Sequence, residues 1–257
     1  MVAGNSGDSG TSTYFDKQLT VFSPEGRVYQ VEYAFNAIEN CSYTSLGLRT
    51  DDAVVLMSHK VITSKLIDPE FVEHVRPIHE RLGITFAGLS ADCEYMHLIS
   101  VHESIKFYDK YGHGFDGQAL AKQLVKQNQS NSQSPRMRTL AAGILIGCID
   151  ASQDGLKSAK LIKVDPAGYE ASMNAFAVGK HQKNANVELE KAFLQNKVTN
   201  VHTAIKTGIS TLTTVLGIDL HPKELEIAVM TIDDDKFRKL SESDTERYLI
   251  QIEKEDE

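Results

Sequence analysis

Tryptophan is absent from this 257-residue chain, proline occurs six times and cysteine only three. Cys41, Cys93 and Cys148 are odd in number, widely spaced and never in a C-x-x-C pair. That argues against a disulfide framework or a zinc cage and points to a reducing compartment. Missing as well is any apolar run approaching the ~18 residues of a membrane span. Met1 to Asp8 carry neither the basic flank nor the apolar stretch of a signal peptide, and Val2 stands where myristoylation needs glycine. A place in the cytoplasm and nucleus, away from membranes, is expected. Positive charge is short too: 27 basic residues face 35 acidic ones, a formal charge of −8, with no basic stripe of the kind nucleic acid requires. Seven acids and two bases fall between Glu242 and Glu257, so most of the excess sits at the C-terminus. What the chain does have, 41% hydrophobic and 24% charged residues, suits a folded domain.

Residues 1–13 are small and polar, and read as a flexible tail. Phe15 to Phe22 is extended in character, and Ser23-Pro24-Glu25-Gly26 has the chemistry of a turn. From Arg27 a helix follows, with Val28, Val31, Phe35 and Ile38 on one face. Strands are expected at Thr44–Thr50 and Ala53–Met57 around Asp51-Asp52, at Val75–Ile78 and Leu82–Ala87, then at Ala141–Ile149, Lys157–Val164, Tyr169–Val178 and Glu224–Ile232. Helical spacing places Leu98, Val101, Ile105 and Tyr108 on a helix that stops at Gly112. Another runs from Gly117 to Gln127, before a polar run to Gln133 that reads as a helix end and loop. Two more helices cover Ala185–Gln195 and Val201–Leu216, the second closed by His221-Pro222, and Ser243–Lys254 forms an acidic one. With no repeat and no Pro/Gly-rich linker, residues 1–257 read as one α+β domain with helices outside a strand core.

Most chemical motifs fail on inspection. Gly179-Lys180-His181 lacks the Ser/Thr and the first glycine of a phosphate loop. Gly208-Ile209-Ser210-Thr211-Leu212 stops one residue short of a G-x-S-x-G elbow. His97 and His102 are five apart, off the i, i+4 face of a metal pair, and Asp233-Asp234-Asp235 reads as a solvated turn. No catalytic constellation, metal or cofactor is expected from spacing.

One stretch is distinctive. Phe22-Ser23-Pro24-Glu25-Gly26-Arg27-Val28-Tyr29-Gln30-Val31-Glu32-Tyr33-Ala34 resembles the signature of alpha-type subunits of the 20S proteasome. The likeness continues through Thr44-Ser45-Leu46-Gly47-Leu48, Gly88-Leu89-Ser90-Ala91-Asp92 and Asp165-Pro166-Ala167-Gly168-Tyr169. Leu66-Ile67-Asp68 and Leu216-Gly217-Ile218-Asp219 lean toward the type-6 (iota) position within that family. The resemblance implies a four-layer αββα sandwich, Ntn-hydrolase-like, with an extra N-terminal helix. In residue terms it implies a gate tail and turn over 1–26, the N-terminal helix over 27–40, the sandwich over 44–235 and the acidic C-terminal helix over 236–257. It implies partners: other alpha subunits in a seven-membered ring, beta-ring subunits, and regulatory particles or activators at the outer face. It implies gating of substrate entry in ubiquitin-dependent degradation.

The family's active beta subunits use an N-terminal threonine whose amine, freed by processing, is the base for its own hydroxyl. Here Cys41-Ser42-Tyr43 precedes Thr44 in place of the Gly-Thr junction, and the supporting Asp and Lys fall at His59 and His74. Neutral imidazoles do not replace a fixed ammonium, so the expectation is a silent subunit. A processed hydrolase with Thr44 as nucleophile is the alternative. The gate motif falls on Phe15, Asp16 and Lys17, where a hydroxyl is lost and a guanidinium becomes a point charge, with Tyr14 as a neighbouring hydroxyl. Pro24 and Tyr33 match the turn proline and the tyrosine that meets the tail. His74 also matches the pocket lysine that receives activator C-termini.

Overall fold

The computed structural model describes residues 19–151, 156–234 and 236–256. Phe15, Asp16 and Lys17 lie outside the described residues. The first helix, α1, runs Tyr29–Glu39, its start two residues later than the expected Arg27, because Val28 stays extended as its cap. Then come β1 (Thr44–Arg49), β2 (Ala53–His59), β3 (Val75–His79) and β4 (Leu82–Gly88). Two helices follow, α2 (Ser90–Tyr111) and α3 (Gly117–Gln133). Strands resume with β5 (Ala142–Ala151), β6 (Lys157–Val164), β7 (Glu170–Met173) and β8 (Ala175–Gly179). The chain continues through α4 (Gln182–Leu194), α5 (Val201–Leu216), β9 (Leu225–Thr231), β10 (Arg238–Lys239) and α6 (Glu242–Asp256).

The strands form two antiparallel five-stranded sheets, ordered β10-β9-β2-β1-β8 and β3-β4-β5-β6-β7. Each layer boundary has its own apolar cluster. Leu82, Ile84, Ile144 and Ile146 turn outward onto Met96 of α2 and Leu120 and Leu124 of α3. Leu46, Leu48, Val55 and Met57 meet Leu189 of α4 and Ile205, Ile209 and Leu212 of α5. Val54, Leu56, Leu145, Leu161 and Met230 fill the space between the sheets. Both faces of β1, β2, β4 and most of β5 are therefore buried, which accounts for their continuous apolar runs. Gly147 lets the sheets close, since a Cβ there would meet Val54 Cγ1 at 2.7 Å. This is the four-layer αββα sandwich the α+β reading expects, with α1 packed on β4 and β5 of one sheet and β8 of the other.

Four local expectations need correction. The stretch 169–178 is two strands: β7 pairs with β6 and β8 with β1, so the chain changes sheets at Asn174. Asn174 marks the break, its carbonyl accepting from Arg49 N at 2.7 Å. Helix α3 continues through the polar run because Asn128 and Asn131 are buried; Asn128 Nδ2 donates to Asp165 O at 2.8 Å, and Gln127 Nε2 to Asn131 Oδ1 at 3.1 Å. Helix α5 ends at Gly217 in the left-handed region (φ 64), while His221-Pro222 opens a short 3₁₀ turn. The segment expected as helix from residue 236 first makes β10, which pairs Arg238 with Val229 and Lys239 with Ala228.

Candidate functional site

The turn entering α1 is tightly specified. Gly26 N donates to Ser23 O at 2.8 Å, Ser23 N to Arg27 O at 2.9 Å, and Arg27 N to the buried Ser23 hydroxyl at 3.2 Å. Gly26 adopts φ 77, which only glycine takes without strain, and Pro24 presets the preceding corner. Arg27 forks onto Glu32, with Nε to Oε1 at 2.8 Å and a second bond from Nη2 to Oε2. Its guanidinium lies 5.0 Å from the Tyr29 ring centre. That fork holds the Glu32 carboxyl below the usual range. Tyr29 and Tyr33 stack at 6.3 Å, and both Tyr33 and Pro24 are exposed. Pro24 lies in the turn before α1 and Tyr33 within α1. Ala34 and Ile38, on the other side of α1, are buried.

Strand β1 follows that helix in the chain. Thr44 is fully buried, paired with Gly179 in the β1–β8 ladder, and its hydroxyl donates to Lys180 O. Lys180 N returns a bond to Tyr43 O at 3.0 Å. Gly179 (φ 98) permits this approach, because a Cβ there would lie 2.5 Å from Tyr43 O. The Thr44 nitrogen is an internal amide of the 257-residue chain, and a free amine to act as base would require cleavage before it.

Tyr43 occupies the space beside the first strand. Its ring lies flat on the His74 imidazole, centres 3.8 Å apart and planes 9° apart, and His74 meets Phe86 edge-on at 6.3 Å. The backbone of His74 is equally fixed. Glu226, brought from β9, accepts from His74 N at 2.7 Å and Val75 N at 3.2 Å, and Lys239 of β10 binds Glu226 at 2.6 Å and Glu73 at 2.7 Å. Burial first, then Lys60, Arg76 and His59, push the His74 pKa down to about 4. Burial also lowers His59, whose Nδ1 has no partner. The two histidines at the supporting Asp and Lys positions are thus at one end of the sandwich, both held neutral. Burial pushes the nearby Cys93 thiol up to about 12 and Tyr43 higher than its usual range. Among the described residues, nothing at this end pairs an accessible nucleophile with a base. Tyr43, Glu226 and Lys239 have no signal of their own in the sequence; Tyr43 figures there only as part of a missing cleavage junction.

The exposed surface carries a second feature. On α2 the buried positions include Cys93, Met96, Ser100 and Ser104, with Ser100 Oγ bonded back to Met96 O at 2.7 Å. Tyr95, Leu98, Ile105 and Tyr108 instead face solvent, so the apolar stripe of this helix points outward.

Comparison with known proteins agrees with this geometry. The family described as "Proteasome subunit" matches residues 39–230, and the N-terminal signature of its A-type subunits matches residues 15–37. The chain is 36% identical to "Proteasome subunit alpha type-6" of Caenorhabditis elegans, covering 95% of this chain and 97% of the relative. It is 35% identical to "Probable proteasome subunit alpha type-1" of Schizosaccharomyces pombe, over 94% and 98%. An archaeal "Proteasome subunit alpha", from Methanosarcina acetivorans, is 31% identical over 93% of each chain.

Proposed function

This chain belongs to the proteasome subunit family on its alpha side, and from that premise we propose that it is a non-catalytic subunit of the outer ring of the 20S core particle. In this reading it joins other alpha-type subunits in a seven-membered ring, rests on the beta ring, and gates substrate entry in ubiquitin-dependent degradation. Eukaryotic relatives support a cytosolic and nuclear setting. The relatives at 36% and 35% bear different type numbers, so the type-6 position is proposed on the sequence likeness alone.

One observation carries the non-catalytic reading: Tyr43 lies stacked on His74 where a processed threonine would need open space, and α1 stays packed across that end of both sheets. Activation of Thr44 would require removing α1 and exposing a fully buried residue. The turn around Pro24 and the exposed Tyr33 support the gating part, as a rigid base for the gate tail. The tail positions Phe15, Asp16 and Lys17 belong to this proposal. Deleting residues 1–13 is expected to raise basal peptide hydrolysis by the assembled particle severalfold without an activator. An unchanged basal rate would remove the gating role from this chain. His74 belongs to the activator question only weakly, because an arriving carboxylate would meet a neutral ring pinned between Tyr43 and Phe86.

A further inference from the structure

The helical layer formed by α4, α5 and α6 carries a cleft that serves neither the turn before α1 nor the closed end of β1. Helix α5 packs against both α4 and α6. A cleft of about 320 Å³ is lined by the C-terminal half of α4, by α5 and by Ile252 of α6. Helix α5 has two distinct sides. Ile205, Ile209 and Leu212 are buried in the core, whereas Thr207, Ser210, Thr211 and Thr214 line the cleft. Those four fall at i, i+3, i+4 and i+7 and form one hydroxyl stripe. Thr211 is buried, its hydroxyl donating back to Thr207 O at 2.8 Å, while Ser210 is exposed. Threonine is a poor helix former, so helix stability does not account for the stripe.

The same cleft gathers positive charge on a chain whose formal charge is −8. Lys191, Lys197 and Lys206 line it against one carboxylate, Glu188, and that carboxylate pairs with Lys191 at 2.7 Å. Backbone geometry brings Lys197 into place. Helix α4 ends in a Schellman cap: Asn196 N donates to Phe193 O at 3.0 Å and Lys197 N to Ala192 O at 3.0 Å. Asn196 takes φ 52 to make it, in the left-handed region that few residues other than glycine enter. The cap folds the chain back, so that Lys197 joins Lys191 and Gln195 at the cleft instead of running on past the helix end.

Ammonium and hydroxyl groups both donate hydrogen bonds to an anion, and lysine holds phosphate as a point charge through charge-assisted bonds. The lining offers more donors than the two oxygens of one carboxylate can use, and a chain of phosphates supplies oxygens to match them. Its volume is near the lower end of the ~300–1,000 Å³ of ligand sites and suits about two or three linked phosphates. No described lining residue is aromatic, so nothing there stacks a base. We propose that the cleft over α5 is a binding site for a short polyphosphate group, held by Lys191, Lys197 and Lys206 and by the hydroxyls of Ser210 and Thr214. All of these groups come from this chain, so the inference stands apart from the ring assignment.

The test uses assemblies purified through a tag on the full chain, with radiolabelled tripolyphosphate as the probe in equilibrium dialysis. Wild type is expected to show one saturable site per copy of this chain, at which Lys197→Ala/Lys206→Ala binds at least tenfold more weakly. Ser210→Glu, which sets a fixed negative charge at an exposed position of the cleft, is expected to lose the site to the same degree. It serves as the readout if the lysine variant fails to fold. A cryo-electron microscopy map with tripolyphosphate present should place density among the three lysines. Absence of a saturable site, equal binding by wild type and variants, or density only elsewhere would overturn the inference. Displacement of the probe by an equimolar hexaglutamate peptide would also overturn it, by showing a site for acidic peptide instead.

Discussion

Tyr43 and His74 set the chemistry at the start of β1, and their contact makes a pH prediction. An imidazole with a native pKa of about 4 and an unfolded value near 6.5 binds fewer protons folded than unfolded between those limits. Its contribution to stability is complete above pH 6.5 and is lost as pH falls toward 4, by at most about 3 kcal/mol; His59 acts in the same direction. His74→Phe keeps an aromatic partner for Tyr43 and removes the titration. It is expected to flatten the fall in melting temperature between pH 6.5 and 4.5; an unaltered slope would mean His74 titrates normally. His74→Ala is expected to leave activator-stimulated peptide hydrolysis alike at pH 6 and 7.5, since the ring is neutral at both. The histidines at 59 and 74 are legible once the sequence is set against active subunits. Their neutrality is not fully so, because it comes from burial and, at His74, from Lys60 and Arg76 gathered around the ring, and no local pattern announces that environment.

Among the elements, strands with buried faces are easily read: β5 and β6 fall within two residues of expectation because continuous apolar runs between turn signals fit little besides a buried strand. The misreadings share a cause. Helix α3 is expected to stop at Gln127 because its last turns are polar, yet Asn128 and Asn131 are both buried, Asn128 bonded to the turn at Asp165. Asn128→Ala is expected to cost about 1 kcal/mol through the lost bond to Asp165 O, which keeps its second bond from Gly168 N, lowering the melting temperature by about 2–4 °C. No change in the melt would mean that water replaces the bond fully. The reverse occurs on α2, where the helix is correctly expected but the Leu98, Ile105 and Tyr108 stripe faces solvent while Cys93, Met96, Ile99 and Phe107 pack inward. Leu98→Asp/Ile105→Asp should leave the fold of this chain intact and reduce its co-purification with other proteasome subunits at least tenfold. Undiminished co-purification would show that this stripe is not an assembly surface.

At the scale of the whole molecule, helices and strands follow one another in the order the sequence implies, and the two-sheet sandwich follows from it. The crossing between sheets at Asn174 is hidden, because one polar residue between Glu170–Met173 and Ala175–Gly179 looks the same whether the chain continues or changes layers. The sandwich itself can carry either catalysis or scaffolding; the proposed scaffold role needs the chain uncleaved, with Tyr43 in place and α1 retained, and that separates the two. Native mass spectrometry of the endogenous particle, followed by release of its subunits, tests that distinction most directly. A scaffold subunit is expected to come from a very large complex with its α1 segment attached, near its full 28.4 kDa. Release of a chain beginning at Thr44, lighter by the forty-three residues before it, would contradict the scaffold role and make this chain an enzyme.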